Sequence, residues 1–198
     1  MPKEGKARVL TEDEFKRLLV IAKDAQMPER NLAMIYCSFG LGLRAKEIAS
    51  LKISDLFDER LNILEEVNLT RSMTKGEKQR HIYINNPKIV KALKQYIAWR
   101  KKHDIIFNDK DWLFKTQRKQ QFSPDVLQKW FRKLYDKAGI KSASSHSGRR
   151  TFITRLIEQG ADIKAVSHLA GHANITTTAG YVDSNPDRLK RISNLAVF

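Results

Sequence analysis

The chain has a single cysteine, Cys37, in 198 residues. That excludes an internal disulfide and a multi-cysteine zinc site. No apolar run approaches the roughly 18–20 residues that a membrane-spanning helix needs. The longest, Leu32 to Leu43, is interrupted by Ser38, Gly40 and Gly42. The opening residues, MPKEGKARVL, are charged and lack the apolar stretch of a secretory signal. No GxxxxGK[ST] phosphate loop, GxGxxG turn or GxSxG elbow occurs, which removes the commonest nucleotide-binding and hydrolase signatures. No internal repeat, low-complexity tract or Gly/Ser linker divides the chain. The expectation is one cytoplasmic domain with no membrane association.

Acidic charge is also scarce. Twenty-two Asp and Glu face thirty-seven Lys and Arg, a net charge of +15 with a pI of about 10.0. Such a surplus points to a polyanionic partner, and nucleic acid leads. An anionic membrane surface is second, but no Lys-rich amphipathic helix with Trp or Phe opposite supports it. The basic residues are spread over Lys3–Arg8, Lys75–Arg80, Arg100–Lys102, Lys115–Lys119, Lys129–Lys141 and Arg188–Arg191. This distribution predicts a folded surface with a basic face rather than a basic tail. Hydrophobic residues make up 41% of the chain, enough for a core.

Periodicity predicts a mainly α domain with a small antiparallel three-stranded sheet (α+β). Thr11 and Glu14 form a capping box, and Phe15, Leu18, Leu19 and Ala22 give the helical face behind it. Helices are predicted from about Pro28 to Phe39, Arg44 to Leu51 and Pro87 to Lys102. Further helices are predicted from Ser123-Pro124 to Gly139, His146 to Gly160, Asp162 to Ala170 and Ile175 to Tyr181, with a last one after Asn185-Pro186. Leu61 to Leu69 and His81 to Ile84 read as strands on either side of Thr74-Lys75-Gly76-Glu77-Lys78. Residues 1–10 form a basic lead-in, 11–184 the domain and 185–198 a C-terminal helix or tail. Cys37 lies in LAMIYCSFG, an apolar helix, and reads as core. His168 and His172 are four apart, but Gly171 lies between them and the Glu of a zincin is missing, so no metal site is expected.

Three separated segments hold polar residues that neither a core helix nor a plain loop requires. Arg44 follows Phe39-Gly-Leu-Gly-Leu at a helix start. His146-Ser-Gly-Arg149 opens another helix, where backbone N–H groups favour an anion. His172 follows Leu-Ala-Gly, and Tyr181 lies nine residues later. Two Arg and two His at helix starts can form a phosphate pocket. Arg presents paired donors to planar oxygens, and His exchanges a proton near neutrality. A tyrosine hydroxyl nearby can act as a nucleophile.

These residues resemble the tyrosine recombinase (phage integrase) family. GLGLRAKEIASLKISDL is similar to its first arginine segment, with Arg44 in place. Thr74-Lys75-Gly76 resembles its β-hairpin lysine, HSGRRTF its H-x-x-R segment, and LAGHANITTTAGY the stretch joining its second histidine to the nucleophile. The resemblance covers residues 10–185. It implies site-specific DNA strand breakage and rejoining without metal, ATP or other cofactor. Tyr181 would be the nucleophile, Arg44 and Arg149 the phosphate-neutralising groups and Lys75 the general acid. His146 would accept the tyrosyl proton and His172 would bond the phosphate. Lys78 lies close to Lys75 in the same turn. Glu47 also fits the family, either orienting a catalytic neighbour or as plain surface charge. Lys78, Arg80, Arg118, Lys119 and Lys141 are candidate backbone contacts.

The implied partners are double-stranded DNA and further copies of the chain, as a tetramer on DNA and a monomer in solution, with the tail docking on a neighbouring protomer. Family members usually carry an N-terminal helical domain, and here only a short stretch precedes Thr11. The chain therefore reads as an isolated catalytic domain or one of the family's short forms. Arg150 stands where His is common and Gly148 where Leu is common. The competing reading is a noncatalytic DNA-binding regulator that retains the fold. A relaxing topoisomerase with similar chemistry is a third.

Overall fold

A computed structural model describes residues 7–70, 79–180, 190, 193 and 194. Helix α1, Glu12–Asp24, starts at the Thr11 capping box, with both the Thr11 side chain and the Glu14 carboxylate closing on backbone N–H groups. Helix α2, Pro28–Gly40, is the centre of the domain. It packs against α1, against α5 (Pro87–His103) and against α7 (Ser147–Glu158). Ala33, Met34, Ile35, Cys37 and Phe39 are all buried, so α2 is apolar around most of its circumference, as a helix enclosed by neighbours must be. Burial pushes the Cys37 thiol up to about 12, which fits a core residue.

Helix α3, Ala45–Ser50, is followed by the single turn α4, Ile53–Leu56, and by strands β1, Glu66–Leu69, and β2, Arg80–Tyr83. The strands pair antiparallel, Val67 opposite Ile82. The expected third strand is absent among the described residues. Leu61 takes a left-handed φ of 61°, and Asp58 caps the backbone N–H groups of Arg60 and Asn62. The extended run therefore breaks, and Ile63 makes only one isolated bridge, to Phe57. The stub expected at Asp111–Phe114 is likewise a single bridge, Lys52 to Trp112.

Helix α6, Pro124–Lys137, is capped by Ser123 as its sequence demands. Helices α8, Ile163–Ala170, and α9, Ile175–Ala179, complete the described elements. The helix expected after Pro186 lies outside the described residues apart from positions 190, 193 and 194. Ile153, Ile157, Val166 and Ala170 form a second apolar cluster, smaller than the main core, that clamps α8 onto α7. Arg100, grouped above with surface charge, is instead buried in α5. It donates to Asp104 Oδ2 at 2.6 Å and to the Leu113 carbonyl at 2.8 Å, which offsets its desolvation.

The turn between α2 and α3 positions everything that follows. Leu41 and Leu43 are buried on either side of Gly42, whose φ is +62°. A β-carbon on Gly42 would lie 2.5 Å from Phe152 Cδ1 of α7. Gly42→Ala combines a disfavoured backbone with a clash, so a loss of about 1–3 kcal/mol is expected. A urea unfolding midpoint equal to that of the parent protein would contradict this.

Candidate active site

Arg44 is the N-cap residue of α3. Its backbone N–H donates to Glu47 Oε2 at 2.7 Å, and its Nη1 donates to Glu47 Oε1 at 2.9 Å. Glu47 is fully buried. Burial alone would raise its carboxyl. The charge and hydrogen bond of Arg80, then Arg44, outweigh this and hold it below the ordinary carboxylate range. Of the two readings left open for Glu47, surface charge is therefore excluded.

Arg80 corrects an expectation. It is not a surface cation available to a DNA backbone. Its Nη2 donates to Glu47 Oε2 at 2.7 Å and, at 3.4 Å, to the Gly42 carbonyl, while its Nη1 donates to the Leu169 carbonyl. Arg149, one turn into α7, donates through Nη1 to the same Gly42 carbonyl at 2.8 Å and through Nη2 to the Ala170 carbonyl. Leu169 and Ala170 are the last residues of α8, so both guanidiniums meet the negative end of that helix. Helix α8 ends on Gly171, with φ +61°. A β-carbon there would lie 2.4 Å from Arg80 Cδ, so the close approach of Arg80 requires glycine.

That left-handed cap turns the chain so that His172 follows immediately. The His172 backbone N–H donates to the Ser167 carbonyl at 3.0 Å, and its Nδ1 lies 2.8 Å from Thr178 Oγ1 of α9. Its pKa is lowered to about 4, first by burial and then by Arg149, Arg44 and Arg80. The imidazole is therefore neutral at pH 7.

Arg44, Arg149 and His172, from three distant segments, thus meet around the Gly42 turn. His146 is the N-cap residue of α7, one turn before Arg149, and is exposed. Arg118 and Lys119 are exposed in a turn closed by a Lys115–Gln121 bridge and tethered to α3 by Gln121 Nε2 donating to the Ala49 carbonyl. Lys141 is exposed, and its carbonyl accepts from Arg8 Nη1. Lys75, Lys78 and Tyr181 lie outside the described residues. Arg80 and Thr178 are the members of the cluster that sequence reasoning missed. A signal existed for Arg80: it shares the inward parity of Ile82 along β2. Nothing in the sequence marked Thr178 apart from Thr176 and Thr177.

Two consequences can be measured. Glu47→Gln leaves the buried Arg80 guanidinium without its counter-charge and is expected to cost about 3 kcal/mol in chemical unfolding. An effect within experimental error would rule out a structural role for the ion pair. His172 is less basic folded than unfolded, so the unfolded chain binds its proton first as pH falls. Stability from neutral His172 is complete above about pH 6.5 and is lost as pH falls toward about 4. Unfolding midpoints across that window are expected to fall less steeply in His172→Gln than in the parent.

Residues 8–188 match the sequence profile of the phage integrase family. The chain is 32% identical over 184 residues to the tyrosine recombinase XerD of Oceanobacillus iheyensis, covering 92% of this chain and 59% of that protein. It is also 32% identical over 184 residues to XerA of Pyrococcus furiosus, again spanning 59% of the relative's length. The crystal structure of a XerA recombinase superposes with a TM-score of 0.75 at 29% identity, covering 99% of this chain and 66% of that one. The Tn1549 transposon integrase, solved in complex with transposon right end DNA, shares the fold, with a TM-score of 0.77 at 22% identity over all of this chain and 69% of that one. A profile match over nearly the whole length, a shared fold and arginine and histidine segments converging on one turn together establish that the chain belongs to the phage integrase family of tyrosine recombinases.

Proposed function

We propose that residues 11–184 form the catalytic domain of a site-specific DNA recombinase, cytoplasmic and acting on double-stranded DNA. The observation that carries this reading is the convergence of Arg44, Arg149 and His172 around one backbone turn, where burial first and then the arginines lower the histidine's pKa. The resemblance to recombinases at 32% identity and the net charge of +15 support it independently.

The mechanism follows from the chemistry of the groups. The Tyr181 hydroxyl attacks a DNA phosphorus and gives its proton to His146. The bond to the 5′-oxygen breaks, and Lys75 supplies the proton that makes it a free hydroxyl. A 3′-phosphotyrosine link remains, which retains the energy of the original phosphodiester. A 5′-hydroxyl from another strand then attacks it and releases Tyr181. Two such rounds, through a Holliday junction, exchange both strands. Arg44 and Arg149 bear on the non-bridging oxygens, where negative charge must be stabilised; losing one such donor commonly costs about 10²–10³ in rate. Neutral His172 adds one N–H donor to the same oxygens.

Arg118, Lys119, Lys141 and Lys78 are the proposed backbone contacts, each adding to affinity and to its salt dependence. Arg80 is not among them because it is buried. The protein would be monomeric in solution and tetrameric on DNA. The tail 185–198, with Leu189, Ile192, Leu195, Val197 and Phe198, would dock on the neighbouring protomer.

The test starts with DNA trapped covalently on the protein in cells, which identifies the site. A nicked suicide duplex of that sequence is expected to be captured by the parent protein. Tyr181→Phe is expected to bind it and form no covalent link. Undiminished capture by Tyr181→Phe would refute the nucleophile. Tight binding without any linkage would favour a DNA-binding regulator, and supercoil relaxation without site preference a topoisomerase.

A further inference from the structure

Thr178 has no role in the mechanism above, yet it is completely buried in a five-residue helix whose neighbouring residues Thr176, Thr177 and Ala179 are exposed. Its hydroxyl oxygen lies 2.8 Å from His172 Nδ1. A second restraint on that histidine is its own backbone N–H, held by the Ser167 carbonyl at the end of α8. Main chain and ring are therefore fixed by different elements, α8 and α9.

A neutral imidazole has one N–H donor and one acceptor nitrogen, and the partner of one nitrogen decides the state of the other. If Nδ1 carries the proton, Nε2 is a lone pair, which phosphate oxygens repel. If Thr178 donates to Nδ1, Nε2 must carry the proton and can donate to phosphate. The charges around the ring favour keeping it neutral, because Arg149, Arg44 and Arg80 all oppose a second proton. The hydroxyl at Nδ1 therefore bears on which of the two tautomers the ring adopts.

We propose that Thr178 is a positioning residue whose hydroxyl donates to His172 Nδ1, holding the imidazole as its Nε2–H tautomer with that proton available to the scissile phosphate. The choice of tautomer rests on the recombinase reading above, but it can be measured without DNA. Thr178 also precedes Tyr181 by three residues in the sequence. The hydrogen bond therefore links the group that holds the phosphate to the segment that bears the proposed nucleophile. A shift of α9 away from α8 would release the ring.

The first measurement needs no DNA. Nitrogen-15 NMR of the His172 ring at neutral pH is expected to show Nε2 protonated and Nδ1 as acceptor. A ring protonated at Nδ1 in the parent protein overturns the proposal. Thr178→Val keeps the shape and removes the hydroxyl, and Thr178→Ser keeps the hydroxyl. The valine variant is expected to populate both tautomers, the serine variant one. On the cognate suicide duplex, covalent capture is expected to slow by about 10- to 100-fold in Thr178→Val. Thr178→Ser should recover most of the rate, and DNA affinity should change little in either. Equal capture rates for parent and valine variant would sink the positioning role, as would equal losses in both variants. If the parent captures no DNA but its ring is protonated at Nε2, the recombinase reading fails while the tautomer assignment stands.

Discussion

A buried carboxylate organises this site. Glu47 is surrounded by protein on all sides, and it is held ionised by Arg80 and Arg44 together. Its two oxygens are shared: one accepts from the Arg44 guanidinium, the other from the Arg44 backbone and from Arg80. An isolated buried charge would be expelled or neutralised. Here each ion makes the burial of the other tolerable, and the geometry of all three becomes rigid. Because Arg80 opens β2 while Arg44 caps α3, the ion pair also ties the hairpin to the first arginine helix.

The same economy recurs with main-chain acceptors. The Gly42 carbonyl serves Arg149 and Arg80, and the last two carbonyls of α8 serve the same two side chains. These carbonyls are partially negative without being titratable. They satisfy guanidinium N–H groups while leaving the net positive charge that an anion would answer. The arginines are thus held in place by the protein's own main chain. His172, kept neutral first by burial and then by these arginines, adds no further charge at pH 7.

Much of the architecture was legible along the chain because it depends on contacts between near neighbours. The Thr11–Glu14 box, the Ser123-Pro124 start and the left-handed glycine after α8 are local devices, and each sits where its residues require. The extra strand was misjudged because alternation at Leu61 and Ile63 looks extended, whereas Asp58 side-chain bonds curl the backbone there. Arg100 and Arg80 were read as surface charge because composition reports how many cations exist and says nothing about which ones meet a carboxylate. For Arg80 the deciding partner is remote, Glu47, and Arg100, though paired with Asp104 one turn away, is enclosed by the distant carbonyls of Trp112 and Leu113.

By itself the sequence determined the chemical types at the site, the helices that carry them and their order, since these follow from side-chain chemistry and from short-range periodicity. The match in spacing to one family determined its membership. Only the tertiary structure decided that a hairpin arginine lies inside and not on the surface, and that one threonine of three touches the histidine. It also decided that the histidine stays neutral. Burial and long-range Coulomb interactions set all three, and both depend on distances that residue order does not specify.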